Sequence, residues 1–212
     1  MNLTDALFSL VKKPSSLTDA LFYKKLMGYG GGGLPDGYRK VKGFSMDNDC
    51  YFKITDFYLT GADTLKFSFS MKATCNVIGS YSGSANGNNY SLYATTTSSG
   101  KYLRYKSGAY NSYADTDKVY NVVISPTGTQ GMETDSTWSQ LDFTCTEEFY
   151  VGTTSPTSSS AKLKGSLYGK IEVVGRLKLI PCERLADGVL GYYDAIGETF
   201  YEPAVGTPTV IE

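Results

Sequence analysis

The chain is predicted to be all-β: a two-sheet antiparallel jelly-roll sandwich, preceded by a short helical N-terminal anchor segment. Three observations carry this. Residues 64–71 (Thr-Leu-Lys-Phe-Ser-Phe-Ser-Met) alternate apolar and polar side chains, the period of a half-buried strand, with Leu65, Phe67, Phe69 and Met71 on the inner face. Gly, Ser and Asn clusters at 83–89, 97–100, 126–131 and 153–160 cut the chain into runs of strand length. No helical period occurs after residue 34, and the composition is poor in charge (19%) and rich in Gly (23) and Tyr (18). Many short strands with turn signals between them indicate a sandwich.

Taken in order, residues 1–29 form a docking segment. Leu-Thr-Asp-Ala-Leu-Phe occurs at Leu3–Phe8 and again, fourteen residues on, at Leu17–Phe22. Asn2 with Asp5, and Ser16 with Asp19, have the spacing of an N-cap and its acidic partner. Each helical piece is bounded by Pro14 and is shorter than about 12 residues, so it is marginal alone in water and becomes ordered by packing on something. A repeated hexapeptide is hard to explain as core packing. The docking residues are Leu3, Leu7, Phe8, Leu17, Leu21 and Phe22. Two other arrangements stay open: the segment folds back on the domain, or it bundles with copies of itself through Leu3, Leu10 and Leu17, although Pro14 opposes a continuous coiled coil. Gly30–Gly33 then acts as a flexible linker to a domain spanning 34–212.

Within that domain, strands are expected at 64–71, 90–94, 102–106, 119–124, 140–144, 148–152 and 163–174. A further strand, Leu177–Ile180, is expected to end in a turn fixed by Pro181. Gly188 and Gly191 are read as tight turns, and Tyr192, Tyr193, Phe200 and Tyr201 as a cap over one end of the sandwich.

Several function classes are disfavoured by composition. Net charge is -1 and pI about 5.6, without the basic stripe that a nucleic-acid binder needs. The chain has no histidine, which removes Ser-His-Asp and Cys-His catalysis and the commonest zinc ligand. Cys50, Cys75, Cys145 and Cys182 contain no C-x-x-C pair. Four buried thiols are expected, with one or two disulfides as the alternative if the chain matures outside a cell. No apolar run approaches membrane-spanning length, and Thr4 and Asp5 stand where a secretory signal needs basic and then apolar residues. The expectation is a chain made and held in a cytoplasm, with no membrane partner. No phosphate-binding loop follows a strand.

The candidate binding surface is the aromatic middle. Seven tyrosines fall within residues 81–113, interleaved with Asn, Lys and Arg. Tyrosine stacks on sugar faces while Asn and Arg bond hydroxyls, which selects Tyr81, Asn88, Asn89, Tyr90, Tyr93, Tyr102, Arg104 and Tyr105 for glycan or partner binding. The plainer alternative is that these tyrosines simply cover the two faces of their strands.

Leu34-Pro-Asp-Gly-Tyr38, Leu179-Ile-Pro-Cys182, Gly188-Val-Leu-Gly-Tyr-Tyr-Asp194, Phe200-Tyr201 and Gly206-Thr207, in that order, resemble the concanavalin A-like (laminin-G/pentraxin-type) jelly-roll domains of bacteriophage and prophage tail and minor structural proteins. The resemblance spans about 34–209, is strongest at its two ends, and leaves out residues 1–33. It implies a non-enzymatic virion structural protein: a capsid decoration, head fibre or tail fibre component. Residues 1–29 would hold it to capsid or tail proteins, and the sandwich would face outward, toward cell-surface or mucosal glycans. Such appendages are commonly homo-oligomers, which favours a trimer. The alternative is a secreted bacterial carbohydrate-binding module without catalytic activity.

The resemblance also raises calcium and glycoside hydrolysis. Asp47-Asn-Asp49 and Asp115-Thr-Asp117 are the acid pairs available, but neither continues into a calcium-loop motif, so no cofactor and no metal site is assigned. Glycosidases of this broad fold set two carboxylates on one strand face. Glu133-Thr-Asp-Ser-Thr-Trp138 lacks the second glutamate, and Glu147 and Glu148 are adjacent and so point to opposite faces.

Overall fold

In the computed structural model, residues 33–82, 88–94, 101–105, 108–112, 115–132, 135–140, 142–156 and 162–211 are described, with backbone alone over 101–105 and 108–112. The expected helical anchor, with Leu3, Leu7, Phe8, Leu17, Leu21 and Phe22, lies outside the described residues, as does most of the glycine linker. Among the described residues there is no helix.

The unit beginning at Leu34 consists of two sheets, antiparallel at every pairing. The larger sheet holds β1 (Tyr38–Lys40), β2 (Gly43–Ser45), β4 (Leu65–Met71), β9 (Tyr120–Ser125), β10 (Gly128–Gln130), β11 (Ser136–Thr137), β13 (Gly165–Val173), β14 (Leu177–Arg184), β15 (Val189–Asp194), β16 (Thr199–Tyr201) and β18 (Thr209–Val210). The smaller holds β3 (Tyr51–Ile54), β5 (Cys75–Ser80), β6 (Tyr90–Ala94), β7 (Lys101–Tyr105), β8 (Gly108–Ser112), β12 (Phe149–Val151) and β17 (Pro203–Val205). The main path of the larger sheet is β11-β10-β9-β4-β13-β14-β15-β16, and the smaller runs β17-β3-β12-β5-β6-β7-β8. The chain repeatedly passes from one sheet to the other: β2 to β3, β3 to β4, β4 to β5, β11 to β12 and β12 to β13.

The alternating run at 64–71 behaves as its period requires. Leu65, Phe67, Phe69 and Met71 are buried, and Lys66 and Ser68 face out. These join Tyr120, Val122 and Ile124 of β9, Leu167, Ile171 and Val173 of β13, and Phe52, Ile54, Phe149 and Val151 of the smaller sheet in one core. Burying each such side chain is worth about 1.5–3 kcal/mol. Tyr192 of β15 ties the two sheets together. Its ring meets Phe44 of β2 at 5.2 Å and Phe52 of β3 at 4.9 Å, both edge-on, the arrangement that aromatic quadrupoles favour. Tyr192 is therefore a central core residue, not an end cap. Tyr193 and Phe200 face the other way and enclose Tyr38, at 5.1 and 5.3 Å.

Pro181 makes no turn. It lies inside β14, opposite Tyr192. Strand β13 pairs β14 through Leu177–Leu179, and β1 pairs it through Cys182–Arg184. The Pro181 carbonyl accepts from Val41 N at 3.1 Å on that same edge. A residue without N–H is tolerated there because one partner strand ends and the next begins. Gly191 likewise sits within a strand; a Cβ on it would lie 2.5 Å from both the Phe200 ring and the Tyr201 carbonyl oxygen. The run expected as a strand at 140–144 shows only an isolated bridge between Thr144 and Thr60.

Asp63 locks one end of the core. It is 5% exposed, and its carboxylate accepts from Thr60 N (2.7 Å), Thr60 Oγ1 (3.2 Å) and Arg176 Nη1 (2.5 Å). Its carbonyl shares the Tyr90 hydroxyl proton with Ile124 O, at 2.9 and 3.0 Å. Arg176 also donates to Tyr58 O at 3.1 Å and lies 4.7 Å over the Phe57 ring. Replacing Arg176 by Ala leaves a buried carboxylate short of its charged donor. The expected loss is about 1–3 kcal/mol of stability, read from denaturant midpoints; an unchanged midpoint would show that water substitutes fully.

All four cysteines are buried free thiols. Burial pushes Cys50 and Cys145 up to about 12, and Cys75 and Cys182 up to about 11. At pH 8 the reactive thiolate is therefore scarce. A thiol reagent is expected to find no fast-reacting group in the native chain and four after denaturation. Rapid native labelling would contradict this burial.

Candidate functional site

Strands β4, β9 and β13 lie side by side in the interior of the larger sheet, and their outward side chains line a groove of about 350 Å³. That volume is at the lower end for small-ligand sites. The groove exists because β13 carries extra backbone. Tyr168 pairs Ser68 and Glu172 pairs Lys66, so four residue steps on β13 match two on β4. The surplus forms a bulge at 169–171. Gly169 adopts φ +61°, and its N–H bonds Lys42 O at 2.7 Å. Lys170 at the crest is exposed and pairs with Glu172 at 2.8 Å. That bond holds the Glu172 carboxyl below its ordinary value against the opposing effect of burial, and Lys66 and Lys178 add to it.

The remaining lining mixes polar Ser68, Asn121 and Tyr168 with apolar Phe67, Val122 and Val123. Ser68 Oγ donates to Asn121 Oδ1 at 2.6 Å, and Tyr168 Oη meets Ser70 Oγ at 3.1 Å. Only one carboxylate, Glu172, is among the lining residues described. This groove was missed from sequence because its residues come from three distant segments. The polar half of the 64–71 alternation and the Gly-Lys step at 169–170 were its available signals.

The tyrosine-rich candidates divide differently. Tyr90 is fully buried, with its hydroxyl committed to the core, and Asn89 is buried with its Oδ1 accepting from Ser82 N and Oγ at 3.0 and 3.2 Å. Neither offers a surface to a ligand, which corrects their place in the binding set. An inward strand position and a loop closure consumed them. Asn88 is half-buried and donates to Thr144 O at 3.0 Å. Tyr81 and Tyr93 are half-buried. The backbone pairs Tyr93 with Tyr102, Ser91 with Arg104 and Tyr90 with Tyr105; the side chains of Tyr102, Arg104 and Tyr105 lie outside the described residues.

Of the acid pairs weighed for calcium, Asp47 and Asp49 carry lysines. Lys72 Nζ lies 2.5 Å from Asp47 Oδ2, and Lys164 Nζ bonds Asp49 Oδ1 at 2.7 Å and Asp47 O at 2.9 Å. Asp117 N is spent on Met71 O, at 2.9 Å. Among the described residues no group of three or more potential ligands is arranged to hold a metal ion. Glu148, one of the adjacent pair, is ion-paired with Lys53 and accepts from Asp56 N at 3.0 Å.

No protein-family model matches the chain, and no curated protein or solved structure is significantly similar to it.

The Lys72 ammonium, helped by Ser45, holds Asp47 below the ordinary aspartate value of 3.8. A depressed folded-state value means stabilisation that is present above the unfolded value and lost as pH falls through the folded one. Asp47→Asn is therefore expected to cost about 0.2–1 kcal/mol at pH 7, the range of an exposed pair. The gap to wild type should close as pH drops below 3.8, as thermal melts against pH would show. A gap that persists at low pH would mean that the hydrogen bonds of Asp47, rather than its charge, matter.

Proposed function

We propose that the chain is a non-enzymatic structural protein of a bacteriophage virion. Residues 1–29 dock it on capsid or tail proteins, the glycines at 30–33 act as a tether, and a concanavalin A-like jelly-roll sandwich faces outward toward glycans of the host or its surroundings. The observation that carries this reading is the hexapeptide duplicated at Leu3–Phe8 and Leu17–Phe22, set off by glycines from the all-β unit. Two weak copies of one motif gain affinity by effective concentration when two receptor sites lie within reach, as on a shell of repeated subunits.

The two antiparallel sheets, between which the chain crosses repeatedly, support the jelly-roll assignment. The outer groove supports binding over hydrolysis, since its described lining holds one carboxylate where glycoside cleavage uses two. A closed trimer fits a role as a projecting appendage.

The test uses phage particles purified from the strain that encodes the chain. The chain is expected in those particles at a fixed copy number. Alanine at Leu3, Leu7, Phe8, Leu17, Leu21 and Phe22 together should abolish incorporation while leaving the melting transition of 34–212 in place. Absence of the wild-type chain from particles, or equal incorporation of the variant, would sink the reading.

A further inference from the structure

The outward residues of the groove, with Lys178 of β14 beside its lining, form two rows across the sheet. Asn121, Ser68 and Tyr168 are directly paired in the first, and Val123, Lys66, Glu172 and Lys178 in the second. On β4 and β9 the rows are two residues, about 7 Å, apart, a distance that a single pyranose ring bridges.

Tyr168 lies in an unusual attitude. Its backbone is opposite Ser68, yet its hydroxyl meets Ser70 Oγ at 3.1 Å, and Ser70 is paired two residues along β4 with Ser166. The side chain must lean along the strand to reach it. The ring thus leans toward Ser70, and the residue remains only half-buried. A half-exposed aromatic ring fixed by its hydroxyl beside other hydroxyl and amide groups offers a stacking platform for a sugar face.

The second row sets the charge. Glu172 is flanked in register by Lys66 and Lys178 and bonded to Lys170, so three ammonium groups face one carboxylate. Among the described residues, neither Lys66 nor Lys178 has a carboxylate within ion-pairing distance. This positive face stands on a chain whose net charge is -1, so it is a local arrangement and not a general basicity. An acidic peptide strand is a poorer fit. β4 is paired along both edges, by β9 and β13, and offers no backbone edge for strand addition.

We propose that this groove binds a carboxylated pyranose, a uronic-acid or sialic-acid residue of an acidic polysaccharide. The carboxylate pairs with Lys66, with Lys178 on the far side of Glu172 adding to the positive field, the ring rests on Tyr168, and the ring hydroxyls bond Asn121 and Glu172. The inference deepens the display reading by naming its ligand class and moving the site from the tyrosine-rich strands to the larger sheet. It does not depend on residues 1–29.

The experiment is calorimetric titration of the full chain with trigalacturonate and 3′-sialyllactose, each against its neutral counterpart, galactotriose and lactose, with poly-L-glutamate as a competitor. Binding of either acidic saccharide but neither neutral one is expected, and which of the two binds identifies the sugar. Lys66→Gln with Lys178→Gln should weaken it about tenfold or more, with the melting temperature held. Tyr168→Leu should also weaken it; if that variant fails to fold, Ser70→Ala, which frees the ring, should act in the same direction. The proposal is overturned if neither acidic saccharide binds, if neutral sugars bind equally, if the double glutamine variant binds unchanged, or if poly-L-glutamate competes at equal charge concentration. Saccharide binding by a chain absent from virions would overturn the docking reading alone, and incorporation without saccharide binding would overturn this one alone.

Discussion

Strand β13 has two more residues than β4 between their shared pairs, Tyr168 with Ser68 and Glu172 with Lys66, and the sheet must absorb them. It does so by changing neighbours. Before the bulge, the far edge of β13 is paired with β2 through Ser166–Tyr168; after it, with β14 through Ile171–Val173. The entering chain therefore lies in the fork between β13 and β14. β1 pairs one of them, β2 the other, and the Lys42 carbonyl takes the Gly169 N–H where they part. Inward, the register is restored in time for Ile171 and Val173 to fill the core. Outward, the bulge lifts Lys170 above the sheet and builds the wall of the groove.

The same economy places polar groups where the core ends. Asp63, Tyr90 and Arg176 come from a loop, a strand of the smaller sheet and a hairpin of the larger one, and their hydrogen bonds meet at one point. Each buried acceptor there has a donor, which low dielectric demands. Tyr192 is the contrast. Its hydroxyl has no hydrogen-bond partner among the described residues, and its place is set by ring contacts with Phe44 and Phe52. Deep in this core, aromatic packing outweighs one unsatisfied hydroxyl.

How much of this was legible depended on the range of the signal. Leu65, Phe67, Phe69 and Met71 announced their inward face because alternation is local and the strand is seven residues long. β1, β2, β10, β11 and β16 to β18 have two or three residues each, too few to display any period. Pro181 misled because its compatibility with β14 lies in a change of partner strand, a long-range fact. Tyr90 and Asn89 looked like ligand-binding side chains because composition cannot distinguish a tyrosine that faces a sugar from one whose hydroxyl closes a buried network. The groove was illegible as a unit: Lys66, Asn121 and Tyr168 become neighbours only when β4, β9 and β13 are paired.

The entry of the chain has a mechanical side. A pull applied to the chain at Leu34 runs into β1, whose three residues are paired side by side with Cys182–Arg184 of β14. A pull along the axis of β1 loads these pairs together, in shear, and Arg39 adds an ion pair to Glu183 in the same register. The next residue in line, Val41, is bonded to the Pro181 carbonyl. β18, by contrast, is held to β2 by two residue pairs at the rim. Tension applied at Leu34 therefore meets β14, a strand rooted in the sheet interior, while β18 takes no part in that pairing.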